Sequence, residues 1–171
     1  WLLSILALLL FTEFAGAVYQ NNTIEQDAFV AAMEATDNKN GKYFLLIGTL
    51  SSPNCCEVRS FIRANFTGVP TGSTINSAYL YFYKGSSPGD LGSTVNFHNV
   101  TNRTWDETTL TWNNQPSYNA TAYVSTTFPP SVGGYYWVGV DITTHARDMF
   151  SKGIKVDTVM EGPVGGGGGY Y

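Results

Sequence analysis

The sequence predicts an all-β protein, an antiparallel β-sandwich of jelly-roll type. Three observations carry that prediction. Apolar and polar residues alternate with period two through most of residues 19–161, the pattern of strands that bury one face. Turn signals interrupt the alternation at regular spacing. Composition agrees: 15% of the 171 residues are aromatic and only 13% are charged, against about 25% charged in an ordinary soluble chain. Thr, Tyr and Phe are abundant, and they suit strands.

Taken in order, the alternation predicts strands over residues 27–33, 43–50, 57–66, 74–83, 94–100, 108–112, 121–128, 135–142 and 154–160. Asn38-Lys39-Asn40-Gly41 separates the first two runs, and Pro70-Thr71-Gly72 separates the third from the fourth. Ser86-Ser87-Pro88-Gly89-Asp90, Asn113-Asn114-Gln115-Pro116 and Gly133-Gly134 mark later turns. All use residues whose backbone or short polar side chains favour reversal. In 57–66, Val58, Ser60, Ile62, Ala64 and Phe66 share one face, and Arg59, Phe61, Arg63 and Asn65 the other. In 74–83, Ala78, Leu80 and Phe82 point one way, and Tyr79, Tyr81 and Tyr83 the other. Residues 144–150 read as a short helix with Ala146, Met149 and Phe150 facing inward.

The body, 19–161, is expected to form one domain between two unlike ends. Residues 1–18 are apolar with Glu13 as the one charge. They read as a secretory signal peptide, with Ala15-Gly16-Ala17 as the small-residue cleavage pattern, or as a retained, helical assembly segment. The run is just short of the ~20 residues that span a membrane. Residues 162–171 form a Gly/Tyr tail. A net charge of −4 with nine Lys plus Arg excludes nucleic-acid binding by phosphate neutralisation.

The sequence presents no constellation for catalysis, and no catalytic, cofactor or metal residues are assigned. His98 and His145 fall in different elements, without metal-ligand spacing. Asp106 and Glu107 are adjacent, so on a strand they would point to opposite faces and make a poor acid–base pair. Cys55 and Cys56 are the only cysteines. Free thiols, a vicinal disulfide and a link to another subunit all remain open for them. Five Asn-x-Thr sequons, at Asn21, Asn65, Asn99, Asn102 and Asn119, suit a secreted surface protein.

Two aromatic groups compete for a role. Trp105 and Trp112 read as core anchors, with Glu107 tying down a loop by accepting backbone hydrogen bonds and Asn113, Asn114 and Pro116 forming a turn. The stripe Tyr79, Tyr81, Tyr83, extended by Tyr135 and Trp137, reads as sheet packing, as an interface, or as a platform for sugar rings. Packing or interface ranks first, because no convergent carboxylates or amides accompany the stripe in sequence.

Residues 60–83 combine an Arg-bearing strand, a Pro-x-Gly turn and the strand Ile75-Asn76-Ser77-Ala78-Tyr79-Leu80. Residues 105–116 run from Trp105-Asp106-Glu107-Thr108 to Trp112-Asn113-Asn114-Gln115-Pro116. With Asp27-Ala28-Phe29-Val30 and Val140-Asp141-Ile142-Thr143, these segments resemble the DNRLRE domain family over about residues 24–160. That family is related to disaggregatase domains of archaeal surface proteins and to a carbohydrate-binding module family. The resemblance implies an extracellular β-sandwich, usually part of a surface protein or a polysaccharide-active enzyme.

The leading expectation is therefore a non-enzymatic extracellular structural protein, a self-assembling subunit of a filament or surface layer. Its partners would be copies of itself, with a membrane involved only during secretion or assembly. The alternative is a secreted carbohydrate-binding module whose partner is a glycan.

Overall fold

The computed structural model describes residues 19–22, 24–42, 44–49, 57–84, 92–130, 135–162 and 169–170. The apolar segment 1–18, the Cys55-Cys56 pair, the turns at 86–90 and 133–134, and most of 162–171 lie outside these residues. The fold is an all-β sandwich built from antiparallel sheets and one short helix.

The larger layer is organised around β3 (Glu57–Ala64). On one side β3 pairs with β1 (Ile24–Ala31), and on the other with β8 (Val156–Glu161). Beyond β8 come β5 (Ser93–Asn99) and β6 (Val124–Phe128). The start of β3 also pairs with β2 (Leu46–Thr49). β9 (Gly169–Tyr170), inside the Gly/Tyr segment, pairs in turn with Leu46 and Ile47 of β2. The smaller layer is the antiparallel pair β4 (Tyr79–Lys84) and β7 (Tyr136–Asp141). Helix α1 (Thr143–Ser151) follows β7.

Alternation along β3 and β8 gives the large sheet two buried faces. Ile62, Val156 and Met160 pack with Phe97, Phe128, Leu80, Phe82 and Val140 in the space between the layers. Phe61 and Val159 point the other way, with Ala28 and Val30, and are covered by Trp105 and Leu110 from the long connection after β5. Phe61, Phe97 and Phe128 are fully buried, each worth about 1.5–3 kcal/mol relative to exposure. Helix α1 closes one end, burying His145, Ala146 and Met149. Phe150 is only half-buried and meets Phe66 edge-on at 5.1 Å.

Two expected strands differ most; those expected at 27–33 and 121–128 are also cut short, since Ala32 and Met33 lie in a 3-10 turn and β6 starts only at Val124. Residues 108–112 form turns and then a 3-10 turn, Trp112–Asn114, rather than a strand. Asp106 Oδ1 accepts the Thr108 N–H at 2.8 Å and its hydroxyl at 2.5 Å, and the Leu110 N–H donates to the Asp106 carbonyl at 2.9 Å. Local bonds therefore satisfy backbone groups that a strand would offer a neighbour. The strand expected over 74–83 begins only at Tyr79. Ahead of it, Arg147 of α1 donates to the carbonyls of Ile75 (2.6 Å) and Asn76 (2.8 Å). The intervening turn is as expected: Ser73 N–H donates to the Pro70 carbonyl at 3.1 Å, and Gly72 sits at φ 83°, where a side chain would be strained.

Candidate functional site

The outer face of the β4–β7 layer is built by strict alternation. Along β4, Leu80 and Phe82 are buried while Tyr79, Tyr81 and Tyr83 remain 50%, 61% and 52% exposed. Along β7, Trp137, Gly139 and Asp141 face the same way. The register pairs Tyr79 with Asp141, Tyr81 with Gly139, and Tyr83 with Trp137. Tyr135, just before β7, adds a ring stacked on Tyr83 at 5.5 Å and 14°. Trp137 meets Tyr83 at 5.0 Å, and Tyr79 meets Tyr81 at 6.1 Å. The structure thus brings together all five aromatic residues singled out from the sequence. From Tyr79 to Tyr83 the row spans about 13 Å.

Gly139 sets the shape of this face. A Cβ at that position would lie 2.9 Å from Tyr81 Cε1, so the Tyr81 ring rests against the glycine backbone. At the Tyr79 end stands Asp141, also exposed. Its Oδ1 accepts the Thr143 N–H at 2.8 Å. The Thr143 hydroxyl, then that N–H, hold the carboxyl below the usual carboxylate range, with a further hydrogen bond from Tyr79. The stripe carries no convergent carboxylates or amides in sequence, and the register sets one carboxylate, Asp141, beside Tyr79. Asp141 lies 62 positions from Tyr79 in the chain and reaches it only through the β4–β7 register. The first turn of α1 anchors this end too, since the Ala78 N–H donates to Thr143 Oγ1 at 2.9 Å.

A cleft of about 390 Å³ borders the face along β4, and Tyr81, Tyr83, Trp137, Lys42, Phe44 and Asp27 are among the residues that line it. A larger recess, about 740 Å³, lies between the turn after β3 and α1 and shares no residue with the aromatic face.

The Trp105–Trp112 group occupies the opposite side of the large sheet. Trp105 is buried and its Nε1–H donates to Asp157 Oδ1 at 2.9 Å. Glu107 Oε2 accepts the Asp27 N–H at 2.8 Å. Trp112 is half-buried beneath the Arg59 guanidinium, 4.9 Å from its ring centre. Asn114 Oδ1 accepts the Thr111 N–H at 2.6 Å and its Nδ2 donates to the Thr109 carbonyl at 2.9 Å. The Asn113 N–H donates to the Ala35 carbonyl, and Pro116 is buried.

Sequence reasoning missed Asp157. It is 1% exposed and receives Arg63 Nε at 2.6 Å and Arg103 Nη1 at 2.8 Å besides the indole. Arg63 also lies over Trp105, 4.7 Å from the ring centre. The one available signal was an acidic residue between Val156 and Thr158 in a strand that also holds Val159 and Met160.

His98 on β5 and His145 on α1 are both buried, in separate surroundings. His98 Nδ1 contacts the Asn119 carbonyl at 2.9 Å. Its Nε2 lies 3.4 Å from Glu161 without hydrogen-bond geometry. His145 stacks on Tyr123 at 3.8 Å, and burial lowers its pKa to about 4. Among the described residues, no three or more His, Cys, Asp or Glu side chains are grouped to hold a metal ion, and no helix is long and apolar enough to cross a membrane.

The fold is a two-layer β-sandwich that carries a row of solvent-facing rings on its smaller sheet. Comparison with protein families matches residues 18–170 to carbohydrate-binding module family 96, and the chain belongs to that family. No curated protein matches it. The family assignment favours the carbohydrate-binding alternative over the filament or surface-layer reading, for which it gives no support.

Proposed function

We propose that this chain is an extracellular, non-catalytic glycan-binding module that holds a polysaccharide against the Tyr79–Tyr81–Tyr83 and Trp137 face. One observation carries the assignment to this face: five aromatic side chains, each at least half exposed, gather on one side of a folded sandwich. Contiguous exposed apolar surface marks a contact site. Flat rings with hydroxyl or indole N–H edges suit the apolar C–H faces and polar rims of pyranoses. Asp141 adds a fixed, ionised acceptor for sugar hydroxyls at one end. Family membership supports the glycan as partner, and the resemblance of residues 105–116 to DNRLRE domains supports the extracellular setting.

The test is affinity electrophoresis and pull-down against a panel of soluble and insoluble polysaccharides, using wild type, Tyr81→Ala and Trp137→Ala. Retention by at least one polysaccharide, lost in both variants while their circular dichroism is unchanged, is the expected result. Folded variants that bind as well as wild type would remove the site from this face. A wild-type dimer that either substitution dissociates would assign the face to self-contact instead.

A further inference from the structure

Three of the five sequons meet at one corner of the fold. The Asn119 N–H donates to the Asn99 carbonyl at 2.9 Å. The Thr101 and Asn102 N–H groups donate to the Ser117 carbonyl at 2.8 and 3.2 Å, and Val100 bridges to Tyr118. Val100 itself is buried with Trp105, Leu110, Phe61 and Val159. The corner therefore belongs to the covering of the large sheet's far face, turned away from the β4–β7 layer and its aromatic rings.

The three asparagines are not equivalent. Asn102 is exposed, and its Oδ1 accepts both the Thr104 N–H (3.2 Å) and the Thr104 hydroxyl (2.8 Å). The sequon's own Thr thus closes a local turn through the amide oxygen, and the amide nitrogen has no part in that turn. Asn119 is also exposed, and its backbone is pinned on both sides, by Asn99 through the N–H and by His98 through the carbonyl. Asn99 is half-buried instead. Its Oδ1 accepts Arg103 Nη2 at 3.0 Å, from the same guanidinium that binds Asp157. A glycan on Asn99 would have to share that space with an ion-pair network that fastens the loop.

We propose that Asn102 and Asn119 are N-glycosylation sites and that Asn99 is not. The donor class is a polyprenyl-diphosphate-linked oligosaccharide, supplied with its transferase by the secretory pathway. A bond forms between the asparagine Nδ2 and the anomeric carbon of the first sugar. The bond from that carbon to the diphosphate oxygen breaks and the lipid diphosphate departs. The amide gives up one proton to the medium. Two glycans here would solvate a surface on which charged residues are sparse, and they would leave the aromatic face uncovered.

The experiment is glycopeptide mapping and intact mass of the full chain secreted from a eukaryotic host that N-glycosylates. The expected result is occupancy at Asn102 and Asn119 with an unmodified Asn99. Asn102→Gln and Asn119→Gln should each remove one glycan mass, and Asn99→Gln none. Mapping of the wild-type chain reads the corner directly, so the test stands even where a variant fails to be secreted. An occupied Asn99, or an unmodified Asn102 or Asn119, would overturn the proposal. The readout is independent of what the aromatic face binds.

Discussion

Gly139→Val separates the aromatic face from general stability. A Cβ at Gly139 would lie 2.9, 3.4 and 3.5 Å from Cε1, Cδ1 and Cζ of Tyr81, whereas carbon atoms pack at about 3.5–4.0 Å. The near edge of the ring must rise by about 0.6 Å for a Cβ alone, and the γ-methyls of valine drive it further. Tyr81 is 61% exposed, so it can swing into solvent without disturbing the core. A tyrosine covers about 200 Å² when fully buried, which leaves about 120 Å² available on Tyr81. A sugar stacked on one side masks about half of that, worth about 1.5 kcal/mol at 25 cal/mol/Å². Losing it weakens binding about tenfold. Strand propensity acts in the opposite direction, because Val suits a strand better than Gly. The melting temperature should stay level or rise. The assay pairs isothermal titration with a polysaccharide that wild type binds and a calorimetric melt of the same samples. Binding within twofold of wild type would refute the role given to the Tyr81 ring. A binding loss accompanied by a clear drop in melting temperature would refute the claim that the ring moves independently of the core.

Two further predictions concern stability. Asp157→Asn leaves Arg63 and Arg103 facing a neutral amide in a buried site, a change that costs about 3–5 kcal/mol. For a chain of this size that lowers the melting temperature by roughly 10 °C, and limited proteolysis should cut first within residues 100–118. His145 titrates at about 4 when folded, against 6.5 ordinarily, because burial disfavours its charge; Asp148 opposes this, and Arg103 and Lys152 reinforce it. Between those values the unfolded chain binds the extra proton, so stability is level above pH 6.5 and falls as pH drops toward 4. At about 1.4 kcal/mol per unit the full shift would reach about 3 kcal/mol, and solvent screening near the surface reduces it to about 2. His145→Gln should flatten that part of the urea-denaturation profile relative to wild type.

Much of the fold is written locally. Alternation placed Tyr79, Tyr81 and Tyr83 on one face of their strand and Leu80 and Phe82 on the other, because side-chain direction in a strand depends only on the parity of position. Local chemistry also produced the turn at Gly72, although parity alone misread residues 108–112, where Asp106 captures the backbone. Strand pairing is different in kind. Whether β4 lies beside β7, and in which register, depends on how two hydrophobic faces fit across the whole core. That fit put Gly139 under Tyr81 and Asp141 beside Tyr79, turning a stripe of tyrosines into a shaped surface with a carboxylate. It also buried Asp157 between two arginines and an indole, a cluster whose members come from three separate segments of the chain. By itself the sequence determined which side chains share a face of each strand. The tertiary structure decided which outward-facing residues stand together, because contacts between distant segments are fixed by packing of the core and not by local preference.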